Sequence, residues 1–337
     1  MEIKVNASKK YSVIINDNFD LFESLVSAFG GEKVAIITDE NVNKIYGNCL
    51  DKYFKNKQIY HYELQSGEDS KCAGKYFEIL NFLANNNFNR KDAIVAFGGG
   101  VTGDLTGFVA STFVRGITLI QVPTTLLSMV DSSVGGKTAI NLDAGKNLVG
   151  TFYQPSLVYA NVSLLKTLPQ REINSGLGEI IKYCFLSNDL TIDDIKENNI
   201  QNIVYKCIKI KRDIVERDEK EGGDRKLLNL GHTIGHAIEK ASNFEISHGE
   251  SVLKGLKFSL DISLKLGIIS HEKYLLALEI LKLSKCDIDC QYSKDELLAY
   301  MKNDKKSQGD KVDFIVVNDN LLSQMESIEY SRLYNLM

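Results

Sequence analysis

The chain has 337 residues, 44% hydrophobic and 25% charged, an ordinary globular balance that excludes disordered, collagen-like and disulfide-scaffold classes. A chain this long buries roughly 75% of its unfolded surface and divides more readily into two domains than one. Its net charge of −4 argues against a nucleic-acid surface, and no stretch approaches the roughly 18 unbroken apolar residues of a membrane span.

The N-terminal residues alternate like a first strand and lack the apolar core of a signal peptide, so a cytoplasmic protein is expected. Residues 33–37 form a short apolar run ending in Thr38-Asp39-Glu40-Asn41. Residues 72–88 carry apolar groups at helical spacing. Residues 93–97 are a second apolar run, closed by Gly98-Gly99-Gly100, and residues 117–122 a third, stopped by Pro123. Such runs, bounded by glycine or proline and separated by helical stretches, predict buried parallel strands with crossover helices. From about residue 161 the pattern changes to long amphipathic stretches, clearest over 200–215 and 272–283. All three prolines, Pro123, Pro155 and Pro169, precede residue 170. The expected organisation is an α/β domain with a Rossmann-like parallel sheet over 1–160, then a mainly α-helical domain over 161–337, the boundary lying near Pro155. The six cysteines are scattered, as in a reduced cytosolic protein. Cys286 and Cys290 sit four apart, but without a second pair they read as ordinary thiols rather than a zinc site.

Gly98, Gly100 and Gly103 stand in G-x-G-x-x-G register between a predicted strand and a predicted helix. Glycines there let backbone amides approach a pyrophosphate at a helix N-terminus; the alternative is a tight turn with no ligand. The acid expected about 20 residues later in an ordinary Rossmann unit has no clear candidate, while Asp39 stands at a strand end well upstream. Gly135-Gly136-Lys137-Thr138 looks like the tail of a phosphate-binding loop, but Asp131 occupies the position of the required first glycine. The segment from Pro123 to Asn147 is nonetheless dense in small and polar groups, including Asp131, Lys137, Lys146 and Asn147. That suits a phosphorylated ligand better than a plain solvated loop.

Three of the five histidines fall within 232–248. His232 and His236, at i and i+4, share one helix face, and His248-Gly249-Glu250 follows closely; together they suggest a divalent-metal site. Gly231 and Gly235, costing about 1 kcal/mol each in a helix interior, imply a packing or ligand reason. Glu179 and Lys182, at i and i+3, would alone be an ordinary exposed pair; beside a metal they could supply an oxygen ligand and a phosphate partner, and spacing does not decide between these.

Taken in order, these blocks resemble the 3-dehydroquinate synthase family of sugar-phosphate cyclases. The resemblance is carried by Gly98-Gly-Gly-x-x-Gly-Asp-Leu-Thr-Gly-Phe, Val122-Pro-Thr-Thr-Leu-Leu, Asp131-Ser-Ser-x-Gly-Gly-Lys-Thr-Ala, Gly145-Lys-Asn-Leu-x-Gly and Tyr153-Gln-Pro. It continues through Gly178-Glu-Ile-Ile-Lys-Tyr, Glu221-Gly-Gly-x-Arg-x-Leu-Leu-Asn-Leu-Gly-His-Thr-Ile-Gly-His-Ala-Ile-Glu and His248-Gly-Glu. It spans roughly residues 38–310. It implies an NAD- and metal-dependent lyase converting 3-deoxy-D-arabino-heptulosonate 7-phosphate to 3-dehydroquinate and phosphate in the shikimate pathway. In the family the C5 hydroxyl is transiently oxidised, which acidifies the C6 proton; phosphate leaves, the ketone is reduced back, and ring opening and an aldol step follow.

Carried over residue by residue, the resemblance assigns NAD to Asp39, Asn41, Glu68, Lys71, Gly99, Gly100, Asp104, Thr124, Thr125, Leu164 and Thr167, with Asp131, Lys137 and Lys146 beside them. It assigns a zinc or cobalt ion to Glu179, His232 and His248, whereas i, i+4 spacing alone would pair His232 with His236. His236 and Glu221 become acid/base residues, with Asp131, Lys137 and Arg225 also at catalytic positions. Substrate falls to Asp131, Lys137, Lys146, Asn147, Lys182, Lys211, Arg225, Asn229, His236 and Lys305, with Lys306 the alternative at that last position. Arg115 matches a position reaching the neighbouring subunit's site, implying a homodimer. Position 175 is serine, where some members carry asparagine. The nearest alternatives are a related cyclase acting on a carboxylate-free sugar phosphate, disfavoured by Lys211 and Arg225 together, and a metal-dependent polyol dehydrogenase that releases NADH.

Overall fold

A computed structural model describes residues 1–304 and 311–337; Lys305 lies outside them. The chain forms two compact units, Met1–Leu168 and Pro169–Met337.

The first unit is built on a seven-stranded sheet. Its strands are β1 (Glu2–Asn6), β2 (Lys10–Asn16), β3 (Lys33–Asp39), β4 (Gln58–Leu64), β5 (Ala93–Gly98), β6 (Thr118–Pro123) and, after the hairpin β7 (Lys137–Leu142) and β8 (Gly145–Phe152), β9 (Leu157–Asn161). Their order is β1-β2-β9-β6-β5-β3-β4. Only β1 and β2 pair antiparallel; the rest of the sheet is parallel. The three apolar runs become β3, β5 and β6, and β5 is buried at all its positions, as a central parallel strand requires. Because β9 lies between β2 and β6, the first unit continues past Pro155 to Leu168.

Four helices belong to this unit: α1 (Phe22–Val26), α2 (Glu40–Tyr46), α3 (Ala73–Asn85) and α4 (Gly100–Thr112). Helix α4 lies tight on its neighbours. A Cβ on Gly107 would stand 2.4 Å from Thr138 Cγ2, and one on Gly103 3.0 Å from Gln121 Oε1. The third glycine of the G-x-G-x-x-G pattern therefore serves helix packing. Residues 123–147 are not a solvated loop: they form a π turn, Ser128–Ser132, and the β7–β8 hairpin.

The second unit holds α5 (Gln170–Tyr183), α6 (Ile192–Glu197), α7 (Ile200–Arg217), α8 (His232–Ala241), α9 (His248–Lys265), α10 (His271–Lys282), α11 (Lys294–Asp304) and α12 (Tyr330–Leu336). The amphipathic stretches over 200–215 and 272–283 become α7 and α10. An antiparallel hairpin that the sequence pattern did not reveal, β10 (Lys311–Val317) and β11 (Ser323–Glu329), packs Val312, Phe314 and Val316 into the helical core. No helix among the described residues is long and apolar enough to cross a membrane.

Helices α5, α8 and α9 approach to backbone contact, and glycine permits it. A Cβ on Gly249 would stand 1.8 Å from Ser175 O, one on Gly178 2.1 Å from Gly249 O, and one on Gly255 1.9 Å from Gly231 O. Gly231, at φ +78°, caps α8 in the left-handed region and would meet Val252 O at 2.8 Å. Gly231 and Gly235 thus have a packing reason, as their cost in a helix implied.

Candidate active site

In the first unit the expected nucleotide-binding residues follow the carboxyl ends of five parallel strands: Asp39 and Asn41 after β3, Glu68 and Lys71 after β4, Gly99 and Gly100 after β5, Thr124 and Thr125 after β6, Leu164 and Thr167 after β9. The chain runs from β3 outward to β4, then crosses back to place β5 on the other side of β3. A crevice at such a reversal is where open α/β sheets bind ligands. The topology also explains the displaced acid. Strand β3 pairs directly with β5, Thr38 opposite Phe97, so an acid upstream in sequence is the lateral neighbour of the glycine turn.

Asp39 caps α2, its Oδ1 accepting from the Asn41 and Val42 amides at 3.0 and 3.1 Å. Burial raises its pKa against those two hydrogen bonds. Gly99 caps α4 without any side-chain hydrogen bond, so the first-turn amides are open to an anion. Lys71, 4% exposed, donates to Asp104 Oδ2 and Asn147 Oδ1, each at 2.6 Å. Glu68 accepts from Asn141 Nδ2 at 2.7 Å. Tyr46 ties the post-β9 turn down, donating to Leu164 O at 3.1 Å, with its hydroxyl 2.5 Å from Thr167 Oγ1. Asp131 is half-buried in the π turn. Lys137 and Lys146, which the sequence grouped together, stand at opposite ends of the β7–β8 hairpin. Arg115 is exposed in a turn where Val114, Arg115 and Gly116 all take positive φ (45°, 64° and 119°). For a β-branched valine that is a costly conformation. Arg90 bonds the Val114 carbonyl through Nε at 3.1 Å and Nη2 at 2.8 Å.

In the second unit, α5 carries Glu179, α8 carries His232 and His236, and α9 begins at His248. The Nε2 atoms of His232 and His248 each lie 3.3 Å from one oxygen, Glu179 Oε1. Ligand atoms of these three residues fall within 4.8 Å of one another. Glu179 is 1% exposed, and neither of its oxygens accepts a well-aligned hydrogen bond, although Lys182 Nζ stands 2.5 Å from Oε2. Burying a carboxylate this way is costly without a cation. Glu179 and Lys182 are therefore not the exposed pair that i, i+3 spacing suggests. Burial would raise the Glu179 pKa, but the Lys182 ammonium and His232 hold it well below the carboxylate range.

The outer nitrogens fix the tautomers. His232 Nδ1 is 3.1 Å from Leu230 O, a carbonyl that only accepts, so Nδ1 carries the proton and Nε2 presents its lone pair beside Glu179. His248 Nδ1 lies 3.3 Å from Glu239 Oε2. Burial lowers the His232 pKa. Burial opposes protonation of His248 too, but the Glu179 and Glu239 carboxylates outweigh it and push its pKa up to about 10. That proton would have to leave before a metal bound. Two imidazole nitrogens and an acidic oxygen around one point, with positions left over, fit catalytic zinc or cobalt. The His236 ring is 5.3 Å from His232 and 5.9 Å from His248, and His236 joins Glu239 and His248 in a second, overlapping group.

Lys211 and Arg225 of this unit are buried cations, as is Lys182 beside Glu179. Arg225 Nη1 donates to Glu219 O, and Glu221 Oε1 accepts from Asn229 Nδ2 at 2.9 Å. Three residues given no role from the sequence support these groups. Asp218 accepts from the Gly222, Gly223 and Arg225 amides at 2.9, 2.7 and 3.0 Å, shaping the turn that carries Glu221. Ser175 Oγ accepts from the Gly249 amide at 3.2 Å. Glu239 stands one helical turn beyond His236, a spacing that could have drawn attention to it. Cys286 and Cys290 are free thiols and join no metal-ligating group among the described residues.

Known proteins match along both units. A family model described as 3-dehydroquinate synthase N-terminal matches residues 61–175, and one described as 3-dehydroquinate synthase C-terminal matches 176–307. The 3-dehydroquinate synthase of Alkaliphilus metalliredigens (strain QYMF) is 43% identical, covering 85% of this chain and 84% of that protein. The one from Clostridium acetobutylicum is 36% identical, covering 100% of this chain and 98% of that protein. Among solved structures, 2-deoxy-scyllo-inosose synthase complexed with carbaglucose-6-phosphate, NAD+ and Co2+ superposes with a TM-score of 0.91 at 25% identity, over 100% of this chain and 99% of that one. The 2-epi-5-epi-valiolone synthase of Streptomyces hygroscopicus, solved with NAD+ and Zn2+, shares the fold at a TM-score of 0.85 and 20% identity, over 100% and 98%.

Proposed function

This chain belongs to the 3-dehydroquinate synthase family, and on that premise we propose that it converts 3-deoxy-D-arabino-heptulosonate 7-phosphate to 3-dehydroquinate and phosphate, using NAD and a divalent metal. The observation that carries the reading is the buried Glu179 carboxylate with the Nε2 atoms of His232 and His248 on one of its oxygens.

When bound, NAD supplies a reversible hydride acceptor, and the divalent ion a Lewis acid that lowers the pKa of a coordinated hydroxyl. The protein's own groups do the rest. Glu179, His232 and His248 hold the ion, and Lys182 neutralises the second Glu179 oxygen. The uncapped first turn of α4 receives the pyrophosphate, Asp39 the adenosine end, and Lys71, braced by Asp104 and Asn147, the neighbouring polar groups. Lys211 and Arg225, with Asn229, bind the substrate's anionic groups in a low-dielectric setting where charge pairing is strong. Asp131, Lys137, Lys146 and Asn147 of the first unit match family substrate-binding positions, and Lys305 matches a further one. His236 and Glu221 move protons on and off the substrate oxygens. The exposed Arg115, projected by its positive-φ turn, serves the site of a second copy, making the working form a homodimer in the cytoplasm.

The test is phosphate release from 3-deoxy-D-arabino-heptulosonate 7-phosphate with NAD+ and Zn2+ or Co2+, following absorbance at 340 nm. Sedoheptulose 7-phosphate and glucose 6-phosphate run in parallel, because the close likeness to 2-deoxy-scyllo-inosose synthase favours a second cyclase substrate as the alternative. Phosphate and 3-dehydroquinate without accumulating NADH is the expected result. Release only from a carboxylate-free substrate, or steady NADH formation, would overturn it.

A further inference from the structure

We propose that Glu239 is the positioning residue of the metal centre, orienting His248 through its outer ring nitrogen. The inference rests on the metal reading above and adds to it a residue outside the ligand set. Glu239 lies on α8 and is 8% exposed. Its Oε2 is 3.3 Å from His248 Nδ1, while His248 Nε2 is 3.3 Å from Glu179 Oε1. The ring therefore spans two carboxylates, one on each nitrogen. A neutral imidazole has one N–H and one lone pair, and a carboxylate at Nδ1 assigns the proton to that side. Nε2 is left as the ligating atom, with the ring held in place by the acceptor behind it. His232 is held the same way by a neutral carbonyl, that of Leu230, so of these two rings it is His248 that has an ionised group at Nδ1.

The alternative, Glu239 as a direct ligand with His236 and His248, turns the His248 Nδ1 toward the ion. It abandons Glu179, a carboxylate with both oxygens sealed away from any well-aligned hydrogen bond. The location of Glu239 also matters. It sits seven residues beyond His232 on the same helix, so α8 supplies one ligand directly and aims the other, which begins α9. The packing of Gly235 against Ser251 O, where a Cβ would come within 3.0 Å, holds those two helices in register.

The experiment is zinc affinity by competition with a chromophoric chelator, together with the visible spectrum of the cobalt-loaded chain. Glu239→Ala should bind zinc about 10- to 100-fold more weakly than the parent. Glu239→Gln keeps an acceptor oxygen at the same reach and should stay within about threefold. Glu239→Asp keeps the charge but withdraws it by one methylene, and should bind more weakly than Glu239→Gln, a ranking that survives even if the alanine variant fails to fold. Parent-like affinity in Glu239→Ala overturns the proposal, as does equal loss in Glu239→Gln and Glu239→Ala, which would make Glu239 a direct ligand. A parent chain that takes up no stoichiometric metal overturns the metal centre itself, and this inference with it.

Discussion

The crossing of α5 and α9 gives the sharpest test of how packing builds the proposed metal centre. Gly178→Ala places a methyl group 2.1 Å from the Gly249 carbonyl oxygen, against an ordinary contact of 3.4 Å or more. The obstacle is backbone, so no rotamer relieves it, and the helices must part by about 1.3 Å, the difference between those two distances. Overpacking costs about 1–3 kcal/mol, and a backbone clash belongs at the upper end. Alanine's better helix propensity returns about 1 kcal/mol, leaving a net loss of about 2 kcal/mol. For a unit of this size that lowers the Tm by roughly 4–8 °C in the presence of a chelator. The larger effect is on metal. Glu179 is the next residue on α5 and His248 precedes Gly249 on α9, while ligand distances tolerate only about 0.2 Å of error. Zinc affinity should fall more than about tenfold. The same change at Gly74, where a Cβ meets nothing closer than Cys72 Sγ at 3.8 Å, should leave the protein unchanged or about 0.5 kcal/mol more stable. Calorimetry and chelator competition on both variants decide the matter. A Gly178→Ala chain with parental Tm and parental zinc affinity would refute the argument.

The remaining predictions concern the groups assigned to chemistry. Glu179→Ala, His232→Ala and His248→Ala should each abolish stoichiometric zinc, measured by elemental analysis after dialysis; retained metal in the His248 variant would contradict the ligand set. His236→Ala should keep its metal while turnover falls by about 10²- to 10⁴-fold, the usual worth of general acid–base catalysis. Loss of metal there would restore the pairing of His232 with His236. Arg115→Ala mixed with Glu179→Ala, both inactive alone, should recover part of the activity in demonstrated mixed dimers, whereas complete inactivity would mean Arg115 serves its own subunit.

Much of this protein is legible from local pattern. Runs such as 93–97 are apolar at every position because a parallel strand is covered on both faces, so periodicity with glycine and proline punctuation places β3, β5, β6 and a helix after the glycine turn, though that helix begins already at Gly100. The same logic found α7 and α10. It missed β10 and β11, although the apolar run 314–317 and the Asn318-Asp319-Asn320 turn after it carry a hairpin signal. Naming Glu179, His232 and His248 as the ligand set took the family resemblance, since spacing alone favoured His236.

What tertiary structure decided concerns neighbours remote in sequence. Nothing in Gly-Glu-Ile-Ile-Lys says that Glu179 and Lys182 are buried, because helical spacing shows which residues share a face but not what covers it. Asp39 stands beside the glycine turn only because β5 crosses back over β3. Gly231 and Gly235 look like ligand or packing positions until the backbone oxygens 2.8 and 3.0 Å from their missing Cβ atoms identify packing. Glu239 gains a role only when α9 brings His248 against it. Hydrophobic pattern determines which elements form, because burial acts on each element's own surface; which side chains share a charge or an ion depends on helix crossings, and those exist only in the folded chain.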